Sequence, residues 1–177
     1  MAAYLPLSLA ILVSLLAAAA ASDHGDYSHP NSGGEKKLVV QVEGMVYAQS
    51  CAHRNSWCLD GATPLPGAKV TVTCRDRKNR VMAWRSVKAD GNGYYLADLG
   101  DGPPAAAYYK GDPTKACFVR LLSSPDRKCD DLTNINYGIQ GAPIRDEGKG
   151  SPADGYALYA AGPLAFRPRH CAPRRHY

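Results

Sequence analysis

The stretch AKVTVTCRDRKNRVMAWR, Ala68 to Arg85, decides the fold. It alternates cleanly and then stops: Val70, Val72 and Cys74 point one way, and Lys69, Thr71 and Thr73 the other. A period of two with β-branched side chains marks a half-buried strand. The alternation ends at Cys74 in a basic turn, Arg75-Asp76-Arg77-Lys78-Asn79-Arg80, and a second strand covers Arg80 to Lys88.

Outward from this hairpin the same signals recur. Asp90-Gly91-Asn92-Gly93 makes a tight reversal, because Gly and Asn tolerate positive φ, and a strand follows from Tyr94 to Asp98. Upstream, LVVQVEGMVYA from Leu38 marks a strand through Val40, Val42 and Val46, and Gly44 within it signals a bulge or a close backbone approach. SCAHRNSWCLDGATPLPG is a loop punctuated by Asp60-Gly61, Pro64 and Pro66-Gly67. Gly100 to Pro113 is a second loop. KACFVRLL, Lys115 to Leu122, is a strand stopped by Ser123-Ser124-Pro125. Cys129 to Gly150 reads as irregular, and a last strand lies at Tyr156 to Ala160. No segment sustains a helical period. Short strands separated by Gly/Pro turns predict an all-β sandwich or small barrel.

The ends differ in character. MAAYLPLSLAILVSLLAAAAAS is apolar and closes in small residues, so residues 1–21 are expected to be a secretory signal peptide, with an uncleaved membrane anchor as the alternative. Residues 22–37 are polar and Gly-rich, a flexible linker. The six-cysteine β domain is expected over 38–172, followed by a basic tail at 173–177. After signal cleavage no membrane association is expected. The cysteines are Cys51, Cys58, Cys74, Cys117, Cys129 and Cys171, an even number in an oxidising compartment, which predicts three disulfides whose pairing spacing alone does not choose. A bond between Cys74 and Cys117 would clamp the sheet. The metal-binding alternative, Cys51 with His53 and Cys58, lacks a tight C-x-x-C pair.

No catalytic constellation is legible. There is no G-x-S-x-G elbow, phosphate loop or dinucleotide fingerprint. The histidines fall in the linker, a loop and the tail, and Asp130-Asp131 and Asp146-Glu147 fall in turn-like stretches. No enzyme activity, cofactor or metal is expected. The net charge of +5 in an exported protein points to anionic polymers rather than nucleic acid. Candidate binding residues are the cations Arg75, Arg77, Lys78, Arg80 and Arg85, with Tyr94, Tyr95, Tyr108 and Tyr109 as faces for sugar rings. Trp57 and Trp84 belong to the same aromatic set.

The ordered motifs VEGMVYAQSC, PLPGAKVTVTCRD, ADGNGYY, CFVRLLSSPDRKC and YAAGPLAFRPRHC resemble the plant pollen Ole e I allergen and extensin family. Within it they are most similar to the cysteine-containing domain of chimeric arabinogalactan proteins and pistil-specific extensin-like proteins. The resemblance covers Leu38 to Cys171. It implies a transthyretin-like β fold with three disulfides, no catalysis, and a secreted cell-wall protein associated with pectic galacturonan, galactan or arabinogalactan glycans. The alternative is an extracellular protein-interaction or signalling ligand in pollen or root tissue. The family pairing implies Cys74–Cys117 and Cys51–Cys171. The family's Y-C-x-S-C reads Tyr47-Ala48-Gln49-Ser50-Cys51 here, so one cysteine is missing and Cys58 is extra. A pairing of Cys58 with Cys129 is expected to replace the lost bond.

Overall fold

Val39–Ala48 forms one long strand, β1, whose positions alternate between half-buried and buried, with Val40, Val42 and Val46 on the buried side. The computed structural model describes residues 39–100, 112–151, 153 and 155–172. They fall in one compact unit, Lys36–Tyr177. The signal peptide, the linker, the basic tail at 173–177 and the pair Tyr108-Tyr109 lie outside the described residues.

The remaining strands are β2 (Thr63–Pro64), β3 (Lys69–Arg75), β4 (Val81–Lys88), β5 (Tyr94–Asp98), β6 (Cys117–Ser123), β7 (Asp131–Leu132), β8 (Ala142–Asp146), β9 (Tyr156–Ala161) and β10 (Leu164–Arg167). They hydrogen-bond into one open ten-stranded sheet with the path β4-β3-β6-β8-β9-β1-β10-β7, while β2 and β5 both attach to β1. β1 is the hub. It runs parallel to β9 through Val39–Glu43 and antiparallel to β5 through Gln41–Met45. Beyond these it runs parallel to β10 and antiparallel to β2. The sheet curls so that its far edge, β4, meets β5, where Arg85 Nε donates to the Asp98 carbonyl at 2.9 Å.

The alternation decides what is buried. Val42, Val46, Val70, Val72, Cys74, Val119, Ile144, Leu164 and Phe166 fill the interior and are almost wholly inaccessible. Each such aliphatic side chain stabilises the fold by roughly 1.5–3 kcal/mol on leaving water. Gly44 makes a close approach: a Cβ there would sit 2.4 Å from the Tyr95 hydroxyl, so the Tyr95 ring lies across bare backbone. Tyr95 is 1% exposed, a core residue and not the sugar-stacking face expected from the sequence.

Three local expectations are corrected. Residues 129–150 contain β7, a 3-10 turn at Ile135–Tyr137 and β8. Pro143 obscured β8, yet its side chain is exposed while Ala142 and Ile144 point inward, so the strand tolerates it. The segment Leu164–Arg167 is β10, whose first three residues are all buried, so no alternation betrays it. Lys115 and Ala116 belong to a short helix, α1 (Pro113–Ala116), not to the following strand. Asp112 accepts from Thr114 N at 3.0 Å and Pro113 occupies the first turn, an N-terminal pattern that starts even a brief helix.

Candidate binding surface

The basic turn is built around one carboxylate. Asp76 Oδ1 accepts from the backbone N–H groups of Lys78 and Arg80 at 2.8 and 2.9 Å, and Arg80 Nε donates to Oδ2 at 2.7 Å. The backbone N–H of Arg80 is the main cause holding the Asp76 carboxyl below its ordinary range. Asn79 takes the left-handed conformation (φ 62°), which its short amide tolerates, and receives a 2.8 Å hydrogen bond from Arg75 Nη1. Arg80 thus closes the turn, and Arg77 and Lys78 are left exposed.

Arg75 turns back over the sheet. Its guanidinium carbon lies 5.5 Å from the centre of the Phe118 ring, and that of Arg120 lies 4.6 Å from the same ring. Both are within cation–π range. Arg120 is fixed by two hydrogen bonds to the Gln140 carbonyl, at 2.9 and 2.7 Å. Thr73 of β3 pairs with Trp84 of β4 on one side and with Phe118 of β6 on the other, and Phe118 pairs with Pro143 of β8. Cross-strand partners share a face. The row on this face is therefore Trp84, Thr73, Phe118 and Pro143, with Thr73 itself buried. Trp84 is 57% exposed. Strands β3, β4 and β6 contain no Asp or Glu, and their charged residues, Lys69, Arg75, Arg85, Lys88 and Arg120, are all cationic.

The expected site residues do not all gather here. Arg85 points to the β5 side, donating to the Asp98 carbonyl. Tyr94 donates its hydroxyl to Glu43 Oε2 at 2.8 Å, and burial followed by that contact pushes its pKa up to about 12. It lines a separate depression of about 340 Å³ with Glu43, Glu147 and Lys149. A cleft carrying carboxylates disfavours uronates, so Tyr94 does not join the basic turn in one grip. Phe118, Arg120 and Trp84 form the aromatic and cationic row instead. Phe118 and Arg120 were legible as the polar-face positions of CFVRLL, alternating with Cys117, Val119 and Leu121.

A second depression, of about 350 Å³, lies between the 49–57 segment and the 132–139 segment, with Gln49, Trp57, Leu132, Ile139 and Arg167 on its walls. Gln49 is 3% exposed; its Nε2 donates to the carbonyls of Ser56 and Cys58 at 3.0 and 2.9 Å, while its Oε1 has no partner among the described residues.

Cys74 and Cys117 are directly paired across β3 and β6 and are disulfide-bonded, with Cα atoms 4.0 Å apart. Cys51 is bonded to Cys171. Cys58 and Cys129 are free thiols, so the pairing expected between them is not made in this structure. Cys129 is buried, its thiol donates to the Phe166 carbonyl at 3.5 Å, and burial pushes it up to about 11. The Cys58 sulfur instead accepts from Asp60 N within the loop, at 3.4 Å.

The fold and its cross-links define a small disulfide-stapled all-β protein. The solved structure of the major plantain pollen allergen Pla l 1 shares this fold, with a TM-score of 0.55 at 20% identity, over 77% of this chain and 98% of that one. In sequence the chain is 30% identical over 138 residues to non-classical arabinogalactan protein 30 of Arabidopsis thaliana, covering 75% of this chain and 54% of the relative. It is 27% identical over 159 residues to the seed and root hair protective protein of Arabidopsis thaliana, covering 90% of each. The chain thus spans about half the length of the first of these relatives. No protein-family model matches it. The likeness to the plant pollen Ole e I and extensin family, drawn from its motifs, holds in both sequence and fold. The relatives it matches are plant proteins, of the arabinogalactan and pollen-allergen types among them.

Proposed function

We propose that this is a secreted, non-enzymatic cell-wall protein that binds acidic pectic polysaccharide along the outward face of β4, β3 and β6. The observation that carries this reading is the row Trp84–Thr73–Phe118 with two guanidinium groups on the Phe118 ring. Flat aromatic faces suit the apolar side of a pyranose, and guanidinium groups suit carboxylates. Strands without carboxylates add no repulsion. The leader-like apolar start and the names of the relatives support export to the wall. The rigid Asp76-centred turn presents Arg77 and Lys78 beside the row as long-range attraction.

The test is calorimetric titration of the oxidised protein with oligogalacturonates at two salt concentrations. Trp84→Ala/Arg120→Ala is expected to weaken binding about tenfold, or about 1.4 kcal/mol. Salt should weaken it too, because exposed charges are screened over about 8 Å at physiological ionic strength. Tyr94→Phe should leave it unchanged. Binding that ignores the double substitution rejects the site; absence of binding to any pectic fragment rejects the function. One observation favours a second reading, a protein partner: β4 ends the sheet path, and Val81, Met82 and Trp84 on it are exposed. Loss of receptor-ectodomain capture, rather than of pectin binding, in Trp84→Ala would select that reading.

A further inference from the structure

We propose that His53, Cys58 and Asp60 form a binding site for a divalent transition-metal ion, with zinc as the occupant that fits the donors best. The site is independent of the polysaccharide reading. One donor atom from each residue, an imidazole nitrogen, the Cys58 sulfur and a carboxylate oxygen, lies within 4.8 Å of the others. Around a tetrahedral zinc with bonds of about 2.0–2.3 Å, neighbouring donors stand about 3.3–3.8 Å apart. Closing the cluster therefore needs side-chain rotations of about 1 Å. His53 and Cys58 are half-buried and Asp60 is exposed, so those rotations are open to them.

The backbone beneath the donors is already fixed. His53 N donates to the Ser50 carbonyl at 3.1 Å, and the His53 carbonyl accepts from Ser56 N and Oγ at 3.0 and 2.8 Å. Cys58 N donates to Ser56 Oγ at 3.1 Å, and the Cys58 carbonyl accepts from Gln49 Nε2 at 2.9 Å. The Asp60 carbonyl accepts from Ser50 Oγ at 3.1 Å. The Cys51–Cys171 disulfide anchors the start of the loop. It also removes Cys51 from the donor trio considered in the sequence, and Asp60 stands in its place. Asp60 N–H points at the Cys58 sulfur, 3.4 Å away, and ties the two donor residues together.

The donor chemistry selects the ion. A thiolate with an imidazole suits zinc and disfavours calcium and magnesium, which take oxygen ligands. Three protein ligands leave a fourth position for water. Binding replaces the thiol proton: the Cys58 S–H bond breaks, a sulfur–zinc bond forms, and the proton goes to solvent. One thiolate and one carboxylate then balance the two charges of the ion.

The experiment uses the full exported protein, secreted oxidised and stripped with a chelator. Alkylation and mass spectrometry first count its thiols; cobalt(II), a coloured substitute for zinc, is then titrated in. The expected result is a free Cys58 and a sulfur-to-cobalt charge-transfer band that zinc abolishes. Cys58→Ser should eliminate the band. His53→Gln and Asp60→Asn should keep it but shift the titration about tenfold or more to higher cobalt. Zinc should raise the melting temperature of the parent and not that of Cys58→Ser, which separates metal loss from misfolding. The proposal is overturned if Cys58 is isolated in a disulfide with Cys129, if no charge-transfer band develops, or if the band survives in Cys58→Ser.

Discussion

Replacing Gly44 by alanine tests the packing at the centre of the sheet. A Cβ at this position falls 2.4 Å from the Tyr95 hydroxyl oxygen, 2.6 Å from Cζ and 2.9 Å from Cε1. Ordinary contact between such atoms is about 3.5 Å, so the ring has to retreat by about 1 Å. It has nowhere to go, because Tyr95 is 1% exposed. Overpacking of a filled interior costs about 1–3 kcal/mol. Gly44→Ala should therefore lower the unfolding free energy by that amount, seen as a lower urea midpoint with the slope of the transition unchanged. Tyr95→Phe removes only the oxygen and leaves Cζ in the way, so the penalty should persist in that background. In a Tyr95→Ala background, already less stable, Gly44→Ala should cost less than about 0.5 kcal/mol, a coupling that only direct contact produces. An alanine variant as stable as the parent within that margin refutes the assignment of Gly44 to close approach.

Other outcomes follow from the cross-links and the turn. The Cys74–Cys117 bond joins residues separated by 43 positions. Its removal as Cys74→Ser/Cys117→Ser should destabilise the protein by about 4 kcal/mol in the chain-entropy treatment, read by denaturant melts of both forms. Asp76 has its carboxyl held below the ordinary value of 3.8 by the Arg80 backbone N–H, so its contribution is present above that pH and is lost as pH falls through the lowered folded value. Protection factors at Lys78 and Arg80, corrected for the intrinsic pH dependence of exchange, should fall selectively as pH drops below the ordinary carboxylate value and through the lowered Asp76 value, and Asp76→Ala should show the low protection already at neutral pH. Equal protection in both proteins at neutral pH would rule out Asp76 as the organiser of the turn.

The hairpin and the first strand were legible because a sheet with one covered face writes a period of two into its residues. Val40, Val42, Val70, Val72 and Val119 carried that signal, and all lie inside. β10 was illegible for the opposite reason: Leu164, Ala165 and Phe166 are covered on both sides, and an unbroken apolar run has no phase. The basic cluster was visible by composition, but its division of labour was not. Whether a cation binds a partner or closes its own turn depends on which carboxylate lies beside it, and Asp76 claims Arg80. Tyr94 and Tyr95 are adjacent in the chain, so pleating sends one to Glu43 and the other into the core. Reading them as a pair of exposed rings ignored that alternation. The His53–Cys58–Asp60 cluster was half visible, since the trio changed once Cys51 was committed to Cys171.

β1 takes its hydrogen bonds from the end of the chain as well as from its middle: β9 and β10 flank it in parallel, and they finish at Arg167. During synthesis the first strand therefore emerges long before these two neighbours exist. Until they arrive, its valines and open edges are an adhesive surface. Such a protein cannot acquire its shape piecemeal from the ribosome outward; the whole domain must be delivered before its opening segment is shielded.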